Sequence, residues 1–253
     1  MTKLLVNSGG HKSICGFVPS VLSPPSIDTP LQQGDKAPPD IGRNPRLFLI
    51  SKQGISSRKK KTRNRKPISY SSIISHNDKS YQVNASKVGN QGIFTQILHK
   101  GIDQLEYAES KWKRVFVLFF NLHHKDYHTQ NNKHISRFRK NLARRLEREY
   151  EINEVGYLWV REQERAKAQH YHFLLFLEGN KIRHSSKILR IVEATWKNIS
   201  ASNHVPTLKN PFYFMDSEEI KANVIYRMSY LAKTRGKGYR DKQVKDYSTS
   251  RLN

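Results

Sequence analysis

Residues 156–177 read GYLWVREQERAKAQHYHFLLFL and contain the clearest structural signal in the chain. The two apolar segments within them, 156–163 and 170–177, have the length and composition of β-strands. The connection between these segments is short and polar, which is typical of an antiparallel hairpin. We therefore predict a hairpin in the middle of a sheet.

Strand-like and helix-like patterns alternate on both sides of this hairpin. Residues 115–122 are a continuous apolar run of strand length, and residues 212–215 form a shorter one. Apolar residues at helical spacing predict four helices, over residues 93–110, 132–149, 185–199 and 216–233, the last with Asp216 as its N-cap. This order predicts an α+β fold, with an antiparallel central sheet and flanking helices that pack mainly on one face.

The N-terminal part of the chain has a different composition. Eight of the ten prolines lie in the first 67 residues, and residues 58–66 form the basic run RKKKTRNRK. We predict a proline-rich, basic, disordered arm over residues 1–85 and one folded domain over residues 86–253. Three interpretations of the basic run stay open: contact with phosphates, a solvated linker, and a nuclear-localisation signal.

The net charge of +24 at pH 7 indicates a polyanionic partner. Residues 67–253 keep +14 of this charge, so the folded part is itself expected to bind a polyanion. No apolar run approaches the roughly 18 residues that span a bilayer, and residues 1–10 lack the apolar core of a signal peptide. Cys15 is the single cysteine, which excludes an internal disulfide. These features favour nucleic acid over a membrane and predict a cytoplasmic protein.

His170 and His172 are two residues apart on a predicted strand, so both side chains project from the same face. The hairpin is expected to bring the carboxylate of Glu162 beside them. Two imidazoles and one carboxylate, with open positions for phosphate and water, suit Mg²⁺ or Mn²⁺, and Zn²⁺ is chemically possible. Glu164 has the strand parity of Glu162 and is the alternative ligand. The competing interpretation is a pair of half-buried strand histidines with Glu162 in a salt bridge.

The last predicted helix places Tyr226, Tyr230 and Lys233 on one face, because their spacing is i, i+4, i+7. A phenol with a pKa near about 10 is a poor nucleophile at neutral pH. It becomes a competent one when a metal polarises a phosphate and a cation stabilises the developing charge. Tyr230 is the better candidate, because Lys233 follows it at i+3 whereas Ser229 stands at that spacing after Tyr226. Packing of both tyrosines against the sheet is the alternative.

These motifs in combination resemble a known superfamily. The triplet at 170–172, His-Tyr-His, resembles the His-hydrophobe-His motif of the HUH endonucleases, and residues 230–233, Tyr-Leu-Ala-Lys, resemble their Tyr-X-X-Lys motif. More narrowly, roughly residues 90–250 resemble the inovirus (filamentous-phage) replication initiators and the prophage relatives that carry the YagK/YfjJ C-terminal domain. The first strand of this family often ends in an aspartate before leucine, whereas this chain has Asn121 there, which weakens any role for that position.

The resemblance implies that residues 86–253 are an RRM-like nuclease domain of a rolling-circle replication initiator. Such a protein nicks single-stranded origin DNA and leaves a 5′-phosphotyrosine and a free 3′-OH. The implied metal ligands are His170, His172 and Glu162, with Tyr230 as nucleophile, Lys233 as supporting cation and Tyr226 as second tyrosine.

The resemblance also implies partners and leaves alternatives. The sequence contains no P-loop motif, so we expect unwinding by a host helicase and no small-molecule cofactor. Arg137, Arg139, Arg144 and Arg145 on the basic helix are candidates for phosphate contact, with a solvated face as the alternative. His123 and His124 are expected to be exposed DNA-facing or loop residues rather than metal ligands. A transposase, a relaxase or a catalytically silent DNA-binding regulator would fit the same motifs.

Overall fold

A computed structural model describes residues 67–125, 131–163, 168–238 and 244–251, all of which belong to one unit spanning Lys60–Asn253. Residues 1–66 of the predicted arm, with Cys15 and the basic run, lie outside the described residues, and so does Glu164.

Within the described residues the chain forms nine β-strands and four α-helices. The strands are β1 (Ile68–Ser69), β2 (Ile73–His76), β3 (Lys79–Gln82), β4 (Ile93–Phe94), β5 (Val115–His123), β6 (Gly156–Glu162), β7 (His170–Glu178), β8 (Phe212–Phe214) and β9 (Tyr247–Thr249). The helices are α1 (Thr95–Lys111), α2 (Lys133–Tyr150), α3 (Ser185–Lys197) and α4 (Glu218–Leu231).

The central sheet has five strands in the order β8-β5-β7-β6-β9, and every neighbouring pair is antiparallel. The predicted hairpin of β6 and β7 lies inside this sheet, with Glu162 opposite His170. The predicted α+β class with an antiparallel central sheet is therefore confirmed.

Helices cover both faces of the sheet, so the prediction that they pack mainly on one face is wrong. Helices α1 and α4 pack on the face that carries Val117 and Leu174, whereas α2 and α3 pack on the face that carries Leu118 and Phe173. The reason lies in β5 and β7, which are apolar at nearly every position. A strand of this kind is buried only when both faces of its sheet are covered.

The folded part of the chain begins before residue 86. The sequence assigns residues 67–85 to the arm, but the structure places β1, β2 and β3 there. Asn77 and Asp78 connect β2 to β3 with positive φ angles of 49° and 59°, as a tight hairpin turn requires. Ile74 and Val83 are buried in the core that contains α1 and α4. The polar composition of this hairpin hides it in the sequence.

Helix α4 differs slightly from its predicted bounds. Its N-cap is Ser217 rather than Asp216, and the Ser217 side chain accepts a hydrogen bond from the Ile220 backbone N–H at 3.3 Å. The helix ends at Leu231, so Lys233 lies just beyond it. In the described parts of the chain, no helix combines the length and apolarity needed to cross a membrane.

Candidate functional site

Three of the predicted site residues meet on the sheet face that α1 and α4 cover: Glu162, His170 and His172, called here the His-Glu cluster. The Glu162 Oε2 atom lies 3.0 Å from His172 Nε2 and 3.4 Å from His170 Nε2. Their side chains are 15%, 20% and 12% exposed, respectively. The cluster is therefore shielded from bulk water but still reachable by a ligand.

The donor atoms of the cluster fit a small divalent cation. One ligand atom from each residue lies within 4.8 Å of the other two. Ligands at adjacent corners of an octahedron with bonds of about 2.1 Å are about 3.0 Å apart, and tetrahedral ligands at similar bond lengths are slightly farther apart. The two distances from Glu162 Oε2 match this spacing, so the arrangement could hold a metal with little movement.

The Glu162 carboxyl is held in its ionised form. Burial alone raises its pKa, but hydrogen bonds from His170 and His172 and the charge of Lys237 together hold the pKa well below the usual range. The Lys237 Nζ atom donates to Glu162 Oε1 at 2.5 Å, and the Lys237 side chain is only 1% exposed. This contact occupies one carboxylate oxygen and leaves the other facing the two imidazoles.

A turn after α4 positions Lys237, which the sequence analysis missed. Gly236 has a φ of 71°, where glycine avoids the steric cost of a side chain, and its carbonyl accepts from Gln163 N at 2.8 Å. Lys237 Nζ also donates to the Lys233 carbonyl at 2.5 Å. The turn therefore ties the end of α4 to the end of β6. No sequence pattern marks Lys237, because its role depends on this turn.

Asn121 orients His172 from the neighbouring strand. The two residues are paired across β5 and β7, and Asn121 Oδ1 lies 2.8 Å from His172 Nδ1. This contact fixes the imidazole so that its Nε2 atom faces Glu162. The amide oxygen of Asn121 thus supplies a hydrogen-bond acceptor to the His172 ring.

Helix α4 presents its tyrosines beside the His-Glu cluster. The ring of Tyr230 is perpendicular to that of His172, with 6.0 Å between the centroids. Tyr226 and Tyr230 are 40% and 50% exposed, although Val224, Ile225 and Met228 of the same helix are fully buried. Both tyrosines line a pocket of about 340 Å³ that His172 also lines. The helix face that carries Tyr226 and Tyr230 is therefore exposed to the same pocket as His172.

Lys233 lies beside Tyr230, as its spacing predicts. Its Nζ atom is 5.2 Å from the centre of the Tyr230 ring and donates to Gln91 Oε1 at 2.9 Å. Burial lowers the pKa of Lys233. A cation is thus placed over the ring of Tyr230.

Comparison with known proteins identifies the family. The family model of the YagK/YfjJ C-terminal domain matches residues 76–245. The chain belongs to this family. No curated protein and no solved structure matches it. The matched span contains the His-Glu cluster, both tyrosines of α4, Lys233 and Lys237, and it begins at the last residue of β2.

Two further histidines of the YagK/YfjJ domain are predicted to be exposed DNA-facing or loop residues, but His123 lies in a strand and His124, which follows the strand, is buried. His123 ends β5, and its ring centroid is 5.0 Å from that of His170. Burial and the neighbouring imidazoles, His170 first, lower the pKa of His123 to about 4, so it is neutral at pH 7. His124 is buried, with Nδ1 2.9 Å from Asn203 Oδ1. Its role is packing beneath the sheet.

The arginines of α2 lie on the other side of the sheet from the cluster. The helix packs through Phe138 and Leu142 on the face that Phe173 also uses, whereas His172 points the opposite way. Arg137 is exposed and has no acidic partner among the described residues. Any phosphate bound there is separated from the His-Glu cluster by the sheet of the YagK/YfjJ domain.

Proposed function

We propose that this chain is a metal-dependent endonuclease of rolling-circle replication that nicks single-stranded origin DNA through Tyr230. The observation that carries the proposal is an exposed tyrosine whose ring lies 6.0 Å from a histidine of the His-Glu cluster, whose donor atoms are spaced as a metal site requires. The net charge of +24 supports a polyanionic substrate. Membership of the YagK/YfjJ domain family is compatible with the proposal and does not by itself name an activity.

Glu162, His170 and His172 would hold Mg²⁺ or Mn²⁺, and Zn²⁺ is the chemical alternative. When bound, the ion would polarise the scissile phosphate and neutralise part of its charge. Asn121 and Lys237 act on the ligands, the first by orienting the His172 ring and the second by holding one oxygen of Glu162.

The phenol oxygen of Tyr230 attacks the phosphorus, and the bond from phosphorus to the 3′ oxygen breaks. The phenolic proton passes to water, and the departing oxygen takes a proton from water to become a free 3′-OH. The phosphate stays bonded to Tyr230 as a 5′-phosphotyrosine, which retains the bond energy for rejoining. Lys233 stabilises the charge that develops near Tyr230. Tyr226 receives the second strand when the circle is closed.

The proposal implies a cellular context. The free 3′-OH primes synthesis in the cytoplasm of a bacterial host, and a host helicase separates the strands. The transfer conserves one phosphodiester bond, so it requires no nucleotide and no small-molecule cofactor.

The decisive experiment maps a covalent protein–DNA adduct. The full chain is incubated with labelled single-stranded DNA and Mn²⁺, resolved under denaturing conditions, and the modified peptide is identified by mass spectrometry. We expect an adduct on Tyr230 that is lost in EDTA, in His172→Ala and in Tyr230→Phe. Tyr226→Phe should still form the adduct but fail to join strands. Tyr150→Phe, on α2 and across the sheet, is the matched control.

Three results would contradict this scheme in different ways. Full adduct yield in EDTA would remove the metal, and full yield from Tyr230→Phe would remove the nucleophile. DNA binding without any adduct would instead favour a catalytically silent regulator. A relaxase or transposase would give the same adduct, so that choice requires the natural substrate.

A further inference from the structure

The pocket beside Tyr230 has a composition that neither metal nor phosphate binding requires. Its volume is about 340 Å³, and it lies between α4, the sheet and the loop before β8. Phe119 of β5, Leu208 of the loop and Leu231 of α4 form apolar walls. The rings of Tyr226 and Tyr230 border it and are exposed. A pocket with these walls suits a flat, partly apolar group.

Arg227 is the one lysine or arginine among the described residues that line the pocket, and the protein already engages it. The Arg227 guanidinium lies 4.5 Å from the centre of the Phe119 ring. It also donates to the backbone carbonyls of Lys209 and Asn210. Arg227 therefore serves as a wall of the pocket, with its guanidinium held by an aromatic ring and two backbone carbonyls.

Two amide side chains supply hydrogen-bonding groups to the pocket. Asn121 uses its oxygen on His172, which leaves its NH₂ group for a ligand. The Asn84 side chain has no hydrogen-bond partner among the described residues, although its backbone N–H donates to Ser229. Amides of this kind bind the edges of nucleobases, and aromatic rings stack on their faces.

We propose that this pocket binds one unpaired nucleobase next to the scissile phosphate and thereby selects the bond that is cut. The inference rests on the proposed function, because the phosphate must lie at the His-Glu cluster for the base to reach the pocket. The volume of about 340 Å³ is near the lower limit of small-ligand pockets, about 300 Å³, and is sufficient for one base. His172 and Tyr230 line both the pocket and the reaction site. The base that the pocket recognises would therefore lie next to the phosphate that is cut.

The test uses a pool of single-stranded oligonucleotides with a fully randomised central segment. The full chain is incubated with the pool and Mn²⁺, and both products are sequenced: the strand retained on the protein and the released strand with its 3′-OH. We expect one position within two nucleotides of the nick to show a base preference of about 10-fold or more, the range that hydrogen bonds to base edges give. The experiment with the wild-type protein alone decides whether such a position exists.

Two pocket variants and a control then assign the preference to the pocket. Leu208→Trp fills the pocket, and Asn84→Ala removes an amide without adding volume; each should lower adduct yield and reduce the preference at that position to about 2-fold or less. Thr207→Trp adds the same indole at the exposed neighbouring position and should retain the preference.

The possible failures are distinguishable. Adducts without base preference near the nick would overturn the pocket and leave the proposed nuclease standing. A preference that survives both Leu208→Trp and Asn84→Ala would also overturn it. The absence of any adduct from the wild-type chain would overturn the nuclease, and the pocket assignment with it.

Discussion

Replacing Asn121 with leucine tests whether the second contact of His172 sets the metal affinity. A metal-bound Nε2 carries no proton, so the proton of the neutral ring is on Nδ1 and is donated to Asn121 Oδ1, 2.8 Å away. Leucine keeps a similar side-chain size and removes the acceptor. The His172 ring would then lose the contact that holds it in one orientation.

The expected effect follows from burial. The His172 side chain is only 12% exposed, so water cannot readily replace the lost acceptor. A buried donor without a partner costs about 1–3 kcal/mol. Much of this cost falls on the metal-bound form, in which the ring must hold a single orientation. We therefore expect the Kd for Mn²⁺ to rise about 10- to 100-fold.

Isothermal titration of Mn²⁺ into the DNA-free protein measures this Kd, and thermal unfolding checks that each variant is folded. Asn121→Asp is the matched control, because it keeps an acceptor at the same place and should bind Mn²⁺ at least as tightly as the wild type. Binding by Asn121→Leu within about 2-fold of wild type would refute the orienting role. So would an aspartate variant that binds as weakly as the leucine variant.

Three further predictions concern stability and DNA binding. Lys237→Met removes the buried ion pair with Glu162 and a hydrogen bond to the Lys233 carbonyl, and it should lower the free energy of unfolding by about 3 kcal/mol at pH 7. Lys237 helps to depress the pKa of Glu162, so this loss of stability should be full at a pH above the ordinary glutamate pKa and should shrink as the pH falls below that pKa. Thermal unfolding at pH 7 and pH 3 without metal measures this pH dependence. An equal loss at both pH values would contradict the prediction. Combined Arg137→Gln and Arg144→Gln should flatten the slope of log Kd against log salt by about 1.4 for single-stranded DNA, measured by fluorescence anisotropy; an unchanged slope would mean that α2 is only solvated. Deletion of residues 1–66 should lower DNA affinity and its salt dependence but leave a folded protein, whereas deletion of residues 1–85 should unfold it, as circular dichroism would show; an insoluble product of the shorter deletion would show that the arm belongs to the core.

The sequence is sufficient for the parts of the site that follow from strand parity. His170 and His172 share a face because side chains alternate along a strand, and a short hairpin fixes Glu162 beside them. The contact of Asn121 with His172 could not be predicted, because it depends on pairing between β5 and β7, which are separated by a helix and a strand. Lys237 depends on a turn geometry that no periodicity reveals.

The coverage of both faces of the sheet is visible in the strand sequences themselves. The runs in β5 and β7 are apolar at consecutive positions, which is itself the pattern of a strand buried on both sides. The amphipathic helices each have one apolar face, and a single sheet face cannot accept all four of them. The apolar pattern of β5 and β7 therefore predicts helices on both faces of the sheet more reliably than the order of strands and helices does.

The N-terminal hairpin shows why the site depends on residues that look like part of an arm. The backbone N–H of Asn84, just after β3, donates to the side chain of Ser229 on α4 at 2.8 Å. Ile74 and Val83 are buried against the same core, and each such burial stabilises by about 1.5–3 kcal/mol. Against a total stability of about 5–15 kcal/mol, their removal is large. The hairpin thus supports the helix that carries Tyr230, and a domain that began at residue 86 would lack that support.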